Sequence, residues 1–206
     1  MPDLTIIAGC NGSGKSTFAP SLLPPHVSSF DFDKRYLDHY FSLADSEFRD
    51  KFARDRTAND FERAVDFSLE NKTDFCYETN FDNDPLHWAE MFRTKGFNLN
   101  IIFFCLANQS IARHRILVRA ENREHFVDNE TIDYKWKEGY KNFNKYYSFF
   151  DQILIVDNSE HGKIYSNIVQ MEGPKIILMQ DKLPNYFHRR FPDIFRLIKE
   201  RKKDSF

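Results

Sequence analysis

The sequence predicts a doubly wound α/β fold, in which helices cover both faces of a five-stranded, mainly parallel β-sheet. Short apolar runs rich in β-branched and aromatic residues alternate with longer segments of helical periodicity, as in βαβ units. The chain of 206 residues is long enough to bury a single core in one compact domain. We therefore predict one domain over residues 1–206, with a core at 1–159 and a C-terminal extension at 160–206.

The alternation of patterns sets the order of the predicted elements. Strands are predicted at residues 4–8, 28–32, 74–78, 99–106 and 152–156. Helices are predicted at residues 15–23, around 46–70, and at 85–95, 109–121 and 129–149. After Asp157 the pattern changes, because two strand-like segments at 163–170 and 175–180 flank a turn and predict an antiparallel β-hairpin. A final helix is expected after Pro184.

Charge and cysteine content exclude several classes of protein. The formal net charge is -2, so the sequence indicates no overall attraction to nucleic acid or to anionic lipid. Three widely spaced cysteines argue against both a disulfide framework and a zinc site. We find neither a signal-peptide pattern nor a long apolar run. We therefore expect a cytoplasmic protein without membrane contact, and nucleic acid is not an expected partner.

A phosphate-binding motif, G-x-x-x-x-G-K-[ST], lies between the first predicted strand and the first predicted helix. Its glycines let backbone N–H groups approach phosphate oxygens, and the helix directs its positive end at the same anion. Lys15 supplies a charge for the β- and γ-phosphates, and Ser16 supplies a hydroxyl for Mg²⁺. The predicted nucleotide-binding residues are Gly9, Cys10, Asn11, Gly12, Ser13, Gly14, Lys15, Ser16 and Thr17. The motif predicts a P-loop NTPase or kinase fold that binds ATP with Mg²⁺; the alternative is a glycine-rich turn without a ligand.

Polar residues follow the second and third predicted strands, where the ligand crevice of an open parallel sheet lies. Asp31 and Asp33 end the second strand, and Glu78, Thr79 and Asn80 end the third. A kinase that acts on an alcohol needs a carboxylate near the acceptor hydroxyl and oxygen ligands for Mg²⁺. Asp33 suits the first role, and Glu78 suits either role. The alternative for the two aspartates is that they cap the following helix.

A basic segment follows the fourth predicted strand. Arg115, Arg119 and Arg123 recur every four residues on one predicted helical face, where like charges repel each other. Phosphate groups would offset this repulsion, and arginines over a transferring phosphoryl group would stabilise its charge. The alternative is a solvated helix whose arginines pair with neighbouring glutamates. The charged stretch at 122–129, which contains His125, is interpreted as a mobile lid.

Taken in order, these residues resemble the zeta-toxin-like P-loop kinases. The resemblance spans about residues 4–159 and rests on the P-loop, Asp31-Phe32-Asp33, Glu78-Thr79, the segment 115–119, His125, Val127 and Asp157-Asn158-Ser159. It implies that Asp33 is the general base and that Lys15, Arg115 and Arg119 hold the phosphates. It also implies that Glu78 and Thr79 line the acceptor or metal site.

The chain departs from the family pattern at two places near the expected acceptor. Lys135 stands where the family commonly has an arginine, and a lysine cannot bind phosphate in a bidentate manner. Arg123-Glu124-His125 stands where the family commonly has Gly-Gly-His. By the resemblance, we assign Lys135 to the catalytic residues and Arg123 and His125 to acceptor binding.

The leading hypothesis is a kinase that moves the γ-phosphoryl group of ATP to a hydroxyl of a small molecule. The family resemblance implies a nucleotide sugar such as UDP-N-acetylglucosamine as acceptor, and a small antitoxin protein as partner. One alternative is a kinase for a nucleoside, a nucleic-acid end or another metabolite. Another is a nucleotide-binding switch or interaction module without phosphoryl transfer.

Overall fold

The computed structural model describes residues 1–121, 128–160, 162 and 164–203, with side chains for all of these except 119–121 and 202–203. Within these residues one sheet contains the strands β1 (Asp3–Ala8), β2 (Phe75–Thr79), β3 (Asn98–Cys105), β4 (Gln152–Asp157), β5 (Ser166–Glu172) and β6 (Lys175–Met179). The strand order is β2-β1-β3-β4-β5-β6. Neighbours among β1 to β4 are parallel, whereas β5 and β6 are antiparallel additions at one edge.

Among the described residues, three helices lie between β1 and β2, one between β2 and β3, two between β3 and β4, and two after β6. They are α1 (Lys15–Leu22), α2 (Phe32–Ser42), α3 (Arg49–Asn71), α4 (His87–Thr94), α5 (Gln109–Glu121), α6 (Asn129–Tyr146), α7 (Phe187–Arg190) and α8 (Pro192–Lys203). The predicted α/β fold is confirmed, and so is the C-terminal hairpin, which extends the main sheet through β4. None of the described helices has the length and hydropathy needed to cross a membrane.

The strand predicted at residues 28–32 is wrong. Only Phe30 pairs there, through a single bridge to Tyr77 in β2. The chain then turns into α2, because the side chain of Asp31 accepts a hydrogen bond from the backbone N–H of Lys34 at 3.1 Å and caps the helix. The aromatic residues of this segment predicted a strand, but the N-cap Asp31 ends the extended conformation after the single bridged residue Phe30.

The two faces of the sheet are covered unequally. Helix α1 packs on one face over a small apolar cluster that includes Ile7, Ile102 and Phe104. The other face carries the main core, to which α3, α4, α6 and the C-terminal helices contribute. Because β1 and β2 are parallel, their carboxyl ends meet at Ala8 and Thr79, and the P-loop therefore begins beside the polar residues that end β2.

Candidate active site

The phosphate-binding loop is packed so closely that its three glycines, Gly9, Gly12 and Gly14, have no room for a side chain. A Cβ atom on Gly12 would lie 2.8 Å from the carbonyl oxygen of Ala112 in α5. A Cβ on Gly14, which has a φ of 97°, would lie 2.2 Å from Nδ2 of Asn158. That amide nitrogen donates to the carbonyl oxygen of Ser13 at 2.8 Å. The loop thus forms a backbone cradle at the N-terminus of α1, which fits the phosphates of a nucleotide.

The ammonium group of Lys15 lies between the loop and the end of β2. Its Nζ donates to the carbonyl oxygens of Gly9 at 2.7 Å and Cys10 at 3.2 Å, and to Oδ1 of Asn80 at 3.5 Å. Burial lowers the pKa of Lys15, while Cys10 and neighbouring carboxylates oppose that shift. The motif assigns to this lysine the charge that binds the β- and γ-phosphates.

The carboxylate of Glu78 is buried, with only 6% of the residue exposed, and two hydroxyl groups hold it. Ser16 Oγ donates to Oε2 at 2.6 Å, and Ser29 Oγ donates to Oε1 at 2.9 Å. Burial raises the pKa of Glu78, and the bond from Ser16 opposes this shift. Ser29 did not figure in the sequence prediction, since no motif marks that position.

The oxygen atoms of Ser16 and Glu78 fit Mg²⁺. This ion prefers oxygen ligands and usually takes one or two carboxylates together with phosphate oxygens and water. No cluster of three or more histidine, cysteine or acidic side chains suited to a metal occurs among the residues that the structure describes. Ser16 and Glu78 supply two protein oxygen ligands, which leaves the other positions of an octahedral Mg²⁺ to phosphate oxygens and water.

A cavity of about 290 Å³ adjoins the P-loop and brings together most of the predicted acceptor residues. Asp31, Asp33, Glu78, Thr79, Asn80 and Lys135 all line it, together with Lys15 and Ser16. The capping role belongs to Asp31, whereas Asp33 lies in the first turn of α2 with its side chain exposed. Asp33 thus shares a cavity with Lys15 and Ser16 of the P-loop.

The guanidinium group of Arg115 lies beside the P-loop, outside the cavity that Asp33 lines. It donates to the carbonyl oxygens of Gly12 at 3.3 Å and Asn158 at 2.8 Å. Arg115 borders a second cavity of about 500 Å³, along with Phe18, His114, Val118 and Ile164. Gly12 and Gly14 border both cavities, so the loop separates them.

The remaining basic residues of the prediction are not placed by the structure. The side chain of Arg119 and all of Arg123 and His125 lie outside the described residues. The same holds for residues 122–127 of the predicted lid. Their proposed contacts with phosphate and acceptor stay predictions.

Helix α6 brings Lys135 to the cavity by lying directly on the loop after β2. A Cβ on Gly139 would lie 2.6 Å from the carbonyl oxygen of Asn80. One turn further on, Nδ2 of Asn142 donates to the carbonyl oxygen of Phe81 at 3.0 Å. Since Lys135 precedes Gly139 by four residues, it lies on the same face of the helix. Gly139 carried no signal in the sequence, because a glycine inside a helix is not by itself a motif.

Replacing Gly139 with alanine is expected to destabilise the protein by about 1–3 kcal/mol through overpacking against Asn80. Helix propensity alone would make alanine about 1 kcal/mol more favourable than glycine in a helix interior. The expected change in the free energy of unfolding therefore has the opposite sign to the effect of helix propensity. Urea unfolding of the variant checks this, with Lys137→Ala on the exposed face of α6 as the control. A variant more stable than the parent would show that α6 does not press on the loop.

Comparison with known proteins decides the family. Residues 1–170 match the family model described as zeta toxin, a span that includes the P-loop, Asp33, Glu78 and Lys135. The chain belongs to the zeta toxin family. The resemblance inferred from the ordered motifs is thereby confirmed. No curated protein sequence matches the chain significantly.

Several solved structures share the fold of this zeta toxin family member. A chain of the PezAT chromosomal toxin-antitoxin system of Streptococcus pneumoniae aligns with a TM-score of 0.63 at 14% identity, over 97% of this chain and 87% of that one. A chain from the AvrRxo1-ORF1:-ORF2 structure with ATP aligns with a TM-score of 0.62 at 9% identity, over 97% and 63% of the two chains. A chain of the Pnkp1/Rnl/Hen1 RNA repair complex gives 0.56 at 23% identity, over 70% and 46%. At these identities the similarity shows the fold alone.

Proposed function

We propose that the protein is an ATP-dependent phosphotransferase that moves the γ-phosphoryl group of ATP to a hydroxyl of a small molecule. Family membership supports an ATP-dependent kinase. The observation that carries the finer proposal is the shared cavity, in which Lys15 and Ser16 of the P-loop face Asp33 and Glu78. A binding module has no need of an exposed carboxylate beside the phosphate cradle, whereas a kinase for alcohols does.

The P-loop side of the cavity binds the donor. Backbone N–H groups of the loop and the ammonium group of Lys15 bind the phosphate oxygens of ATP. Ser16 and Glu78 would hold Mg²⁺, which when bound neutralises charge on the phosphates. Arg115, with Arg119 from the same helix, would add positive charge beside the loop.

The α2 side of the cavity binds the acceptor. Asp33 accepts the proton of the acceptor hydroxyl as that oxygen bonds to the γ-phosphorus, and the bond from phosphorus to the β,γ-bridging oxygen breaks. Lys135 stabilises the charge on the transferring group as a single point charge. Asp31, Thr79 and Asn80 offer further polar groups to the acceptor. The family pattern adds Arg123 and His125 to these acceptor-binding residues.

The acceptor and the partner are proposed from the family and from similar structures. A nucleotide sugar such as UDP-N-acetylglucosamine is the first acceptor to test, because the family pattern implies it. A nucleic-acid end is the second, because a chain of an RNA repair complex shares the fold. A small antitoxin is the proposed protein partner, since one similar structure comes from a toxin-antitoxin system. A cytoplasmic location agrees with three buried, free cysteines.

A screen with labelled ATP tests the proposal directly. Nucleotide sugars, nucleosides and oligonucleotides are incubated with the protein, and we expect label to move to one class of acceptor. Lys15→Ala should reduce that transfer at least about 100-fold, because the charge on the transferring phosphoryl group loses its main partner.

The control for the screen is Lys34→Ala, which removes an exposed lysine from α2 outside the cavity lining. Thermal unfolding of both variants checks that they fold. ATP binding with no acceptor labelled would favour the nucleotide-dependent switch. Equal transfer by Lys15→Ala would show that the P-loop is not the donor site.

A further inference from the structure

The two oxygen atoms of the Glu78 carboxylate face two different serines. Oε2 accepts from Ser16, the P-loop residue suited to Mg²⁺, and Oε1 accepts from Ser29, which lies in the segment between α1 and α2. Ser29 belongs to no motif, and it does not line the cavity next to the P-loop. Its hydroxyl is connected to the site by the hydrogen bond to Glu78.

The backbone fixes Ser29 next to Glu78. Its neighbour Phe30 donates an N–H to the carbonyl oxygen of Cys76 at 2.8 Å and accepts from the N–H of Glu78 at 3.0 Å. This pair of bonds joins the 28–32 segment to β2 at the level of the carboxylate. The bridge at Phe30 thus brings the hydroxyl of Ser29 next to Oε1 of Glu78.

A carboxylate that accepts only one hydrogen bond can rotate about its terminal side-chain torsion, which has broad preferences. With Ser29 holding Oε1 at 2.9 Å, Oε2 stays directed at Ser16 at 2.6 Å. Asp31 from the cap of α2 and Lys15 from the loop carry charges near the same carboxylate. Outer hydrogen-bond partners of this kind orient metal ligands and affect metal affinity.

We propose that Ser29 is a positioning residue for magnesium-dependent nucleotide binding. It holds the Glu78 carboxylate in the orientation in which Ser16 and Glu78 present their oxygens together. The inference rests on the proposed function, because it assumes that this pair meets Mg²⁺ bound to a nucleotide. It adds to that function a residue that contacts neither nucleotide nor acceptor.

The test compares two substitutions of equal shape, Ser29→Thr and Ser29→Val, of which only the first keeps a hydroxyl. Binding of a fluorescent ATP analogue is measured over a range of Mg²⁺ concentrations and again with EDTA. We expect Ser29→Val to raise the Mg²⁺ concentration needed for half-maximal binding about 10–100-fold, and Ser29→Thr to keep it near the parent value. Binding in EDTA should be equal in the two variants.

Ser28→Ala is the matched control, because Ser28 is the exposed neighbour of Ser29. It should leave the Mg²⁺ dependence unchanged. Equal Mg²⁺ dependence in the threonine and valine variants would overturn the proposal, and so would equal weakening with and without Mg²⁺, since that indicates a purely structural role. A parent protein that binds no ATP at all would instead contradict the proposed function.

Discussion

Replacing Asp33 with asparagine is expected to lower the rate of phosphoryl transfer about 10²–10⁴-fold while leaving ATP binding intact. The amide has the shape of the carboxylate but cannot accept the acceptor's proton. Asp33 lies in the first turn of α2, and it lines the same cavity as Lys15 and Glu78. The N-cap of α2 is Asp31, so the substitution should not disturb the helix start.

The measurement is single-turnover transfer to the acceptor found by the screen, beside a titration of ATP binding. Asp38→Asn is the matched control, because Asp38 lies on the same helix and pairs with Lys34 at the surface. A normal rate in Asp33→Asn would show that another group takes the proton. A loss of ATP binding would place Asp33 on the donor side of the cavity instead.

Local sequence and parallel topology together predicted which residues lie near one another at the centre of the candidate site. The P-loop motif, with the strand and helix around it, predicted that Lys15 and Ser16 follow β1, and both residues line the cavity next to the loop. Glu78 was expected nearby because carboxyl ends of parallel strands share one edge of the sheet. The structure brings Glu78 into a hydrogen bond with Ser16 at 2.6 Å. Both inferences needed only the residues next to each strand.

Contacts between distant segments explain what the sequence missed. Ser29 lies next to Glu78 because Phe30 forms a single bridge to β2. The aromatic residues of this segment predicted a longer strand, but Asp31 caps α2 directly after that bridge. Gly139 allows α6 to approach the carbonyl of Asn80, a close contact that no periodicity reveals. Patterns along the chain report which face of an element is buried, but they do not report which other element covers it.

The spacing of the arginines in α5 illustrates the same limit. Like charges every four residues suggested that phosphates offset them. For Arg115, the carbonyl oxygens of Gly12 and Asn158 provide acceptors in the protein itself. A helical repeat of charge therefore indicates that partners are needed, and the fold determines whether loop carbonyls, carboxylates or a ligand supply them.

Replacing Phe191 with alanine is expected to lower the free energy of unfolding by about 3–5 kcal/mol. The residue follows α7 in the C-terminal extension and is 0% exposed. Its ring packs against Phe103 of β3 and against Tyr140 and Phe143 of α6, with ring centroids 5.9, 5.6 and 5.5 Å apart. The cavity left by alanine would open between the extension and the sheet that carries the P-loop.

Urea unfolding checks the size of this effect. Phe67→Ala is the matched control, because Phe67 is 62% exposed. That substitution should change the free energy of unfolding by no more than about 0.5 kcal/mol. Domains are commonly stable by about 5–15 kcal/mol, so the loss expected for Phe191→Ala is a large share of the total.

We propose that residues 1–206 unfold as one unit, because Phe191 belongs to the same core as Phe103. A single transition that moves to lower urea, together with weaker nucleotide binding at the new midpoint, is the expected result. A separate early transition that leaves nucleotide binding intact would instead make the extension an independent unit, and the P-loop domain would then end near residue 159.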